Sequence, residues 1–189
     1  MHGDIKYFFP DKDVLQVVLN LSQHSETLRE DVLKAANYAG KNGMTPLIWM
    51  VMRHNLMAGE KLLQAGANPN QITDDGETAL CLAILSKQID FVKMLLSFGA
   101  DKNRPGYDGN TPLITAVETQ DIDIIHLLIE KGADLNAPST EGSTALMNAI
   151  DLGNPVIAKI LCDAGADLSV QHPSGVTAID MAKQKNGDL

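Results

Sequence analysis

Side chains that could do acid–base, nucleophilic or metal chemistry are few in this sequence and lie far apart. The five histidines are His2, His24, His54, His126 and His172. None of them has a second histidine or a cysteine at the spacing of a metal-ligand pair. The sequence also lacks a glycine-rich phosphate loop, a His-Glu-x-x-His motif and a Gly-x-Ser-x-Gly motif. These residues predict neither a metal site nor a catalytic centre.

The two cysteines and one acidic pair likewise predict neither a metal site nor a catalytic centre. Cys81 and Cys162 are too few for a disulfide framework or a cysteine-type zinc site. Both fall beside apolar residues in helical patterns, so we interpret them as small core residues rather than nucleophiles. Asp121 and Asp123 lack the ligand series of a calcium loop and are typical of a charged helix start. We expect no enzyme activity, no cofactor and no metal.

The composition is that of an acidic globular chain. Of 189 residues, 44% are apolar and only 4% aromatic, so aliphatic side chains must form the core. The 24 acidic against 15 basic residues give a net charge of −9, which argues against a nucleic-acid partner. The longest apolar run, residues 47–52, is too short to span a membrane, and the N-terminus lacks a signal-peptide pattern. We expect a cytoplasmic protein, with a monomer favoured.

Two landmarks recur along the chain with one period of 33 residues. The first is a Gly-x-Thr opening, present as GMTPL, GETAL, GNTPL, GSTAL and GVTAI, whose glycines are Gly43, Gly76, Gly109, Gly142 and Gly175. The second is a Gly-Ala-Asp/Asn segment that begins at Gly66, Gly99, Gly132 and Gly165. Such a period is the signature of a repeat architecture, in which each unit buries its neighbour.

Each repeat predicts two helices joined by a tight turn. The threonines of the openings (Thr45, Thr78, Thr111 and Thr144) precede apolar helical patterns and are typical N-caps. Pro46 and Pro112 then occupy the first helical position. A second amphipathic pattern follows and ends at the Gly-Ala-Asp glycine, because the residue after a helix often needs a positive φ. About ten polar residues lead to the next unit.

This unit resembles the ankyrin repeat, over about residues 42–185. The family opening Gly-x-Thr-Pro-Leu and its closing Leu-Leu-x-x-Gly-Ala-Asp-x-Asn appear here as GNTPL, LLSFGADKN and LLIEKGADLN. The resemblance implies an all-α repeat solenoid of stacked helix-turn-helix units with short β-hairpin-like loops. The units start near residues 42, 75, 108, 141 and 174, and residues 42–189 form the repeat region. It also implies that Asn70, Asn103 and Asn136 bond the loop backbone, with hydroxylation of such asparagines as the alternative.

The chain departs from the family pattern at the turn between the two helices and in the first repeat. The turn glycine is present only as Gly153 and is elsewhere His54, Lys87 and Gln120. Gly59 lies inside a second helix, where glycine costs about 1 kcal/mol against alanine. Met50 replaces the small alanine of the other repeats and is expected to fill a wider gap.

Both ends of the chain lack a full repeat. Residues 1–41 are interpreted as a divergent helical cap, with Asp11 or Asp13 capping a helix to about Leu21. Thr27 and Glu30 fit a capping box for a second helix through about Ala39. Phe8 and Phe9 are expected to pin the N-terminus onto this cap. The fifth unit supplies only one helix, about residues 178–185, so it is either a half-repeat cap or the edge of a longer protein.

The resemblance places partner contacts on a concave face, at two residues before the opening glycine, one after it and two at the end of the first helix. In the three central units these are Asp74, Asp75, Glu77, Leu85, Ser86, Tyr107, Asp108, Asn110, Glu118, Thr119, Thr140, Glu141, Ser143, Asp151 and Leu152. Seven of the fifteen are acidic and none is basic. The candidate apolar anchors are Trp49, Met52, Leu85, Tyr107 and Leu152, with core packing as the alternative for Trp49.

The leading hypothesis is a non-enzymatic protein-interaction module that binds a basic segment of another protein through a centrally acidic surface. The alternative for the surface is an ordinary solvated face, in which Asp75 and Asp108 only shape their loops. The alternative for the chain is a recruitment domain of a larger enzyme or of a secreted bacterial effector.

Overall fold

The computed structural model describes residues 5–22 and 29–187, and these residues divide into two compact units. Unit 1 covers residues 1–101 and unit 2 covers residues 102–189. The helices of unit 1 are α1 (Ile5–Phe8), α2 (Lys12–Ser22), α3 (Arg29–Ala35), a 3-10 turn (Lys41–Gly43), α4 (Pro46–Met52), α5 (Leu56–Gln64), α6 (Ala79–Leu85) and α7 (Ile89–Ser97). Those of unit 2 are α8 (Pro112–Glu118), α9 (Ile122–Glu130), α10 (Ala145–Asp151), α11 (Pro155–Asp163) and α12 (Ala178–Gly187).

The predicted pairing of helices within each repeat is confirmed. In unit 1, α4 packs on α5 and α6 packs on α7, while α4 and α6 lie side by side. In unit 2 the same pattern pairs α8 with α9 and α10 with α11. Ala83, Ala116 and Ala149 are fully buried, because a larger side chain would separate helices that approach closely here.

Threonine caps start the first helix of each repeat, as predicted. The Thr45 hydroxyl accepts from the Ile48 amide at 3.1 Å, and the Thr78 hydroxyl accepts from Cys81 at 3.0 Å. The hydroxyls of Thr111 and Thr144 accept from the amides of Ile114 and Met147, in both cases at 3.3 Å. Pro46 and Pro112 occupy the first helical turn, where a missing N–H leaves no bond unmade.

The turn between the helices has the same left-handed backbone whether or not a glycine is present. Gly153 has a φ of 66°, and His54, Lys87 and Gln120 have φ values of 55°, 53° and 54°. Non-glycine residues adopt this conformation at a cost, so the packing of the two helices imposes it on three residues that do not favour it.

The loops before the first helices repeat one tight turn. In each of them the amide at one position donates to the carbonyl four residues later, for example Thr73 to Glu77 at 3.0 Å and Ser139 to Ser143 at 2.8 Å. Two of these turns extend into antiparallel bridges, Ile72 with Thr78 and Gln171 with Thr177. Within the described ranges the hairpin-like loops therefore amount to single bridges and form no sheet.

Asparagines tie consecutive loops together, as the resemblance implied. The Asp101 amide donates to the Asn70 side-chain oxygen at 2.7 Å, and the Asn70 amide group donates to the Gly99 carbonyl at 3.0 Å. In unit 2 the Asp134 and Asp167 amides donate to Asn103 and Asn136, at 2.9 and 2.8 Å. The structural role of these asparagines is thus confirmed.

The first repeat carries two unusual packing features. Met50 is fully buried, in line with the expected wider gap. Gly59 lies in α5 against the ring of Phe91, where an added Cβ would be 2.7 Å from Cε1 and 3.1 Å from Cζ. The glycine that weakens α5 therefore makes room for an aromatic ring of the next repeat.

The segment before the first repeat is helical, with one predicted boundary wrong. Asp11 caps α2 through its carboxylate, which accepts from the amides of Asp13 and Val14 at 2.9 and 3.1 Å. The second helix, α3, ends at Ala35 instead of Ala39, because the chain turns there to bring Tyr38 towards the buried Phe9. The capping box of Thr27 and Glu30 involves side chains that lie outside the described residues.

The last helix, α12, packs on α10, and no second helix follows it in the described part of the chain. Thr177 and Asp180 cap it reciprocally: the Asp180 amide donates to the Thr177 hydroxyl at 3.2 Å, and the Thr177 amide donates to the Asp180 carboxylate at 3.0 Å. The bonds from Thr177 lower the pKa of the Asp180 carboxyl. Across the described ranges, every helix is too short or too polar to cross a membrane.

Candidate interaction surface

The predicted acidic contacts of unit 2 line one pocket of about 340 Å³. We call it the acidic pocket, and its lining residues are Asp108, Asn110, Glu118, Ser139, Glu141, Ser143, Asn148, Asp151 and Leu152. Four of these side chains are carboxylates, and none of the lining residues is a lysine or an arginine. The lining therefore carries net negative charge, and the Lys185 ammonium lies outside it, where it donates to the Ile150 and Asp151 carbonyls.

Two loops and two helix ends position these groups. Asp108 and Asn110 lie in the loop before α8, and Glu118 is the last residue of α8. The next loop brings Glu141, and its Thr140 amide donates to the Gly109 carbonyl at 3.0 Å. Gly109 has a φ of 76°, and a Cβ there would clash with the Thr140 side chain. A glycine is therefore required for the two loops to approach each other.

A hydrogen-bond network orients the central carboxylate, Glu118. The Asn110 side-chain amide donates to both Glu118 oxygens, at 3.0 and 3.1 Å, and also to Asp108 Oδ2 at 3.1 Å. The Asn148 side-chain amide donates to Glu118 Oε1 at 3.3 Å. Asp108 in turn accepts from the Asn110 backbone amide at 2.9 Å. Asp108 thus shapes its own loop, as one interpretation held, and also adds charge to the pocket.

The environment of Glu118 raises the pKa of its carboxyl above the ordinary value of 4.5. Partial burial is the main cause, and the negative charge of Asp108 is the second. The bond from Asn110 opposes both effects but does not cancel them. A cation placed in the pocket would relieve the repulsion and favour the ionised form.

The sequence-derived set for unit 2 is largely gathered here. Asp108, Asn110, Glu118, Glu141, Asp151 and Leu152 all line the acidic pocket. Tyr107, 68% exposed, lies next to Asp108 in the loop before α8 but outside the pocket lining. Ser139 and Asn148 were missed by the sequence-derived set. The helical period could have found Asn148, since it lies one turn before Asp151 on the same face of α10.

In unit 1 the predicted contacts are surface residues of one loop and one helix end. Asp74 and Asp75 are exposed and Glu77 is half-buried. The Glu77 carboxylate accepts from the Thr78 amide at 2.9 Å, so part of its role is to hold the loop. Leu85 is 45% exposed at the end of α6, and Met52 is half-buried at the end of α4.

Trp49, predicted as an apolar anchor with core packing as the alternative, is covered by other side chains in this structure. Its side chain is only 7% exposed, and it packs on Phe8 and Phe9 with ring centroids 5.7 and 6.2 Å apart. Two aromatic residues from the non-repeat segment cover the indole, and the role of Trp49 as a partner anchor stays a prediction. Phe9 also packs on Tyr38 of the predicted cap, with ring centroids 6.3 Å apart, whereas Phe8 packs on the first repeat instead of on the cap.

The cysteines differ from one another. Cys81 is buried, as predicted, but Cys162 is exposed, and its assignment to the core is wrong. Cys162 lies in α11 and lines an open groove beside α12 together with Leu168 and Ile179. Among the described residues, no group of three or more His, Cys, Asp or Glu side chains is arranged to hold a metal ion.

Comparison with known proteins adds two findings. A family model described as ankyrin repeats (3 copies) matches residues 11–106 and 99–172. The crystal structure of the ankyrin repeat domain of Bcl-3, described as a unique member of the IkappaB protein family, aligns with a TM-score of 0.78 and 28% sequence identity. That alignment covers 90% of this chain and 76% of the Bcl-3 chain. A search of curated proteins found no match.

Proposed function

The chain belongs to the ankyrin repeat family of protein-interaction modules, and on this premise we propose that it binds a basic segment of another protein through the acidic pocket. The observation that carries the proposal is the set of four carboxylates on one pocket wall without a lysine or arginine among the lining residues. Asp74, Asp75 and Glu77 give the second repeat acidic groups at the corresponding positions.

The proposed mechanism is recognition by a preformed surface. Asn110 and Asn148 already hold Glu118, and the Thr140–Gly109 bond already fixes the two loops. Little further ordering is needed on binding, which lowers the entropic cost of association. Arginine and lysine donors form charge-assisted hydrogen bonds with carboxylates, and the unbalanced charge accelerates the encounter with a basic partner.

Apolar residues at the rim complete the proposed surface. Leu152 lines the acidic pocket and is 46% exposed, and Tyr107, 68% exposed, precedes Asp108 in the loop before α8. Such side chains supply contact area that charge alone does not, since interface energy is concentrated in a few large side chains. The favoured ligand is thus a basic segment that also carries an apolar residue.

Affinity capture with two charge-matched variants tests the proposal. The first variant is Glu141→Gln with Asp151→Asn, which removes two carboxylates from the acidic pocket. The second is Asp123→Asn with Glu130→Gln, which removes two exposed carboxylates of α9 that lie outside the pocket lining. A partner retained by the wild type and by the α9 variant, but lost from the pocket variant, supports the proposal. Partners retained equally by both variants contradict it.

A further inference from the structure

The N-terminal segment of the chain lies on the first repeat through adjacent aromatic side chains. The ring of Phe8 packs on Trp49, and the Lys41 ammonium lies 4.6 Å from the centroid of the Tyr7 ring. Tyr7 and Phe8 also contact each other edge-on, with ring centroids 5.2 Å apart. The Phe8 carbonyl lies so close to Gly40 that a Cβ at Gly40 would collide with it.

The repeat register identifies the surface that this segment covers. Gly40 and Trp49 stand three repeats before Ser139 and Asn148, which line the acidic pocket. Lys41 stands at the position of Asp74, Tyr107 and Thr140, two residues before the opening glycine of its repeat. Tyr7 and Phe8 therefore lie on the positions of the first repeat that correspond to the pocket and its rim in unit 2.

We propose that residues Ile5–Phe9 act as an intramolecular ligand of the first repeat, occupying the positions through which this repeat would contact a partner. The segment is a removable cover: a ligand for the first repeat must displace Tyr7 and Phe8 before it reaches Trp49. This inference concerns unit 1 and aromatic contacts, and it does not depend on the acidic pocket of unit 2.

The contacts divide the segment into an anchor and a releasable part. Phe9 is fully buried, and its ring lies between Trp49 and Tyr38. Tyr7, in contrast, is 51% exposed and Phe8 is half-buried. The helix α1 has only four residues, far below the length at which a helix is stable alone, so its fold depends on the surface beneath it. Local release of Tyr7 and Phe8 leaves the Phe9 anchor in place.

Fluorescence of Trp49, the single tryptophan of the chain, reports on this cover. In the 189-residue chain with Tyr7→Ala and Phe8→Ala, we expect Trp49 emission to shift to longer wavelength and iodide quenching to increase, with unchanged circular dichroism. A capped peptide of residues 3–8, GDIKYF, which leaves the buried Phe9 site to the chain's own Phe9, is then added at up to roughly millimolar concentration, the effective concentration of a short tether. We expect it to restore the wild-type emission with a saturable curve.

Three controls separate the intramolecular ligand from a general loosening of the fold. The wild-type chain should not respond to the peptide, because its own segment occupies the surface. A peptide with alanine at the positions of Tyr7 and Phe8 should leave the emission of the variant unchanged. A Gly40→Ala chain, in which the new Cβ collides with the Phe8 carbonyl, should show exposed Trp49 that the peptide does not restore.

Unchanged Trp49 emission in the double variant, or equal peptide binding by variant and wild type, would overturn the proposal. So would an absence of any response of the variant to the peptide, or a loss of its helical circular dichroism. The peptide carries one Asp and one Lys, so its binding should change little with salt. A negative result in this fluorescence experiment would therefore contradict the intramolecular ligand alone, and not the proposed salt-sensitive binding at the acidic pocket.

Discussion

The side-chain amide of Asn110 donates to both carboxylate oxygens of Glu118, at 3.0 and 3.1 Å, and so joins the loop before α8 to the last residue of that helix. Asn148 donates to the same carboxylate from the next repeat. Two neutral amide groups thus hold the Glu118 carboxylate next to the negative charge of Asp108. A positively charged donor in their place would stabilise the ionised carboxylate more strongly. This arrangement orients Glu118 while leaving the net charge of the pocket negative.

The raised pKa of Glu118 predicts how the stability of the fold responds to pH. The folded state binds this proton more tightly than the unfolded chain, so the stabilisation is complete below the ordinary value of 4.5 and is lost as pH rises through the folded-state pKa. Glu118→Gln removes the ionisable group and keeps an acceptor for Asn110. We expect the variant to be slightly more stable at neutral pH, by no more than about 0.5 kcal/mol.

Urea unfolding of both proteins across the acid and neutral range measures this difference. The advantage of Glu118→Gln should appear as pH rises above the ordinary glutamate range and then stay constant. Asp123→Asn, on the exposed surface of α9, serves as a control for the removal of one charge. An advantage that is largest at low pH would show that the sign of the pKa shift is wrong.

Gly59→Ala should destabilise the protein although alanine is the better helix former. The new Cβ would lie 2.7 Å from Phe91 Cε1 and 3.3 Å from Met94 Cε. Overpacking of this kind costs about 1–3 kcal/mol, against a propensity gain of about 1 kcal/mol. We expect a net loss of about 1 kcal/mol in the free energy of unfolding. Thermal and urea unfolding measure it.

A double-mutant cycle with Phe91→Leu isolates the clash. Leucine lacks the ring atoms that the new Cβ would meet, so Gly59→Ala should become neutral or stabilising in that background. Equal costs of Gly59→Ala in both backgrounds would mean that Phe91 is not the reason for the glycine.

Lys87→Gly should stabilise the protein through the backbone alone. Lys87 has a φ of 53°, and relief of this left-handed conformation outweighs the greater unfolded-state freedom of glycine by about 0.5–1 kcal/mol. Gly153→Ala, at the corresponding turn of another repeat, should lose about 1 kcal/mol for the converse reason. Unfolding midpoints of the two variants should move in opposite directions, and a shift in the same direction would refute this explanation of the turns.

Much of the fold could be predicted from the sequence because its signals are local. The Thr45 and Thr78 caps and the Pro112 helix start each depend on a few neighbouring residues and a fixed period. The side-chain bonds between loops, such as that of Asn70 to Asp101, follow from the same period. Asp108 and Glu118 could be placed on one surface because the register assigns both to the same edge of the repeat.

Errors arose where a contact joins the repeats to residues outside the period. Trp49 occupies a partner-facing position by register, but Phe8 and Phe9 come from the non-repeat segment and cover it. Cys162 has the sequence context of a core residue, but it lines an open groove beside α12 and is exposed, which the spacing of apolar residues does not reveal. The Asn110–Glu118 bond was missed because it depends on side-chain rotamers, which the repeat period does not define.

The central claim is that the acidic pocket binds a basic segment, and a calorimetric titration with a short peptide of alternating arginine and serine tests it most directly. The wild type is compared with Glu141→Gln/Asp151→Asn and with Glu130→Gln/Asp123→Asn, which lose the same charge. We expect wild-type affinity to fall as salt rises, the pocket variant to bind about three- to tenfold more weakly, and the α9 variant to bind almost as the wild type does. Equal affinity of the two variants, or affinity independent of salt, would contradict the claim.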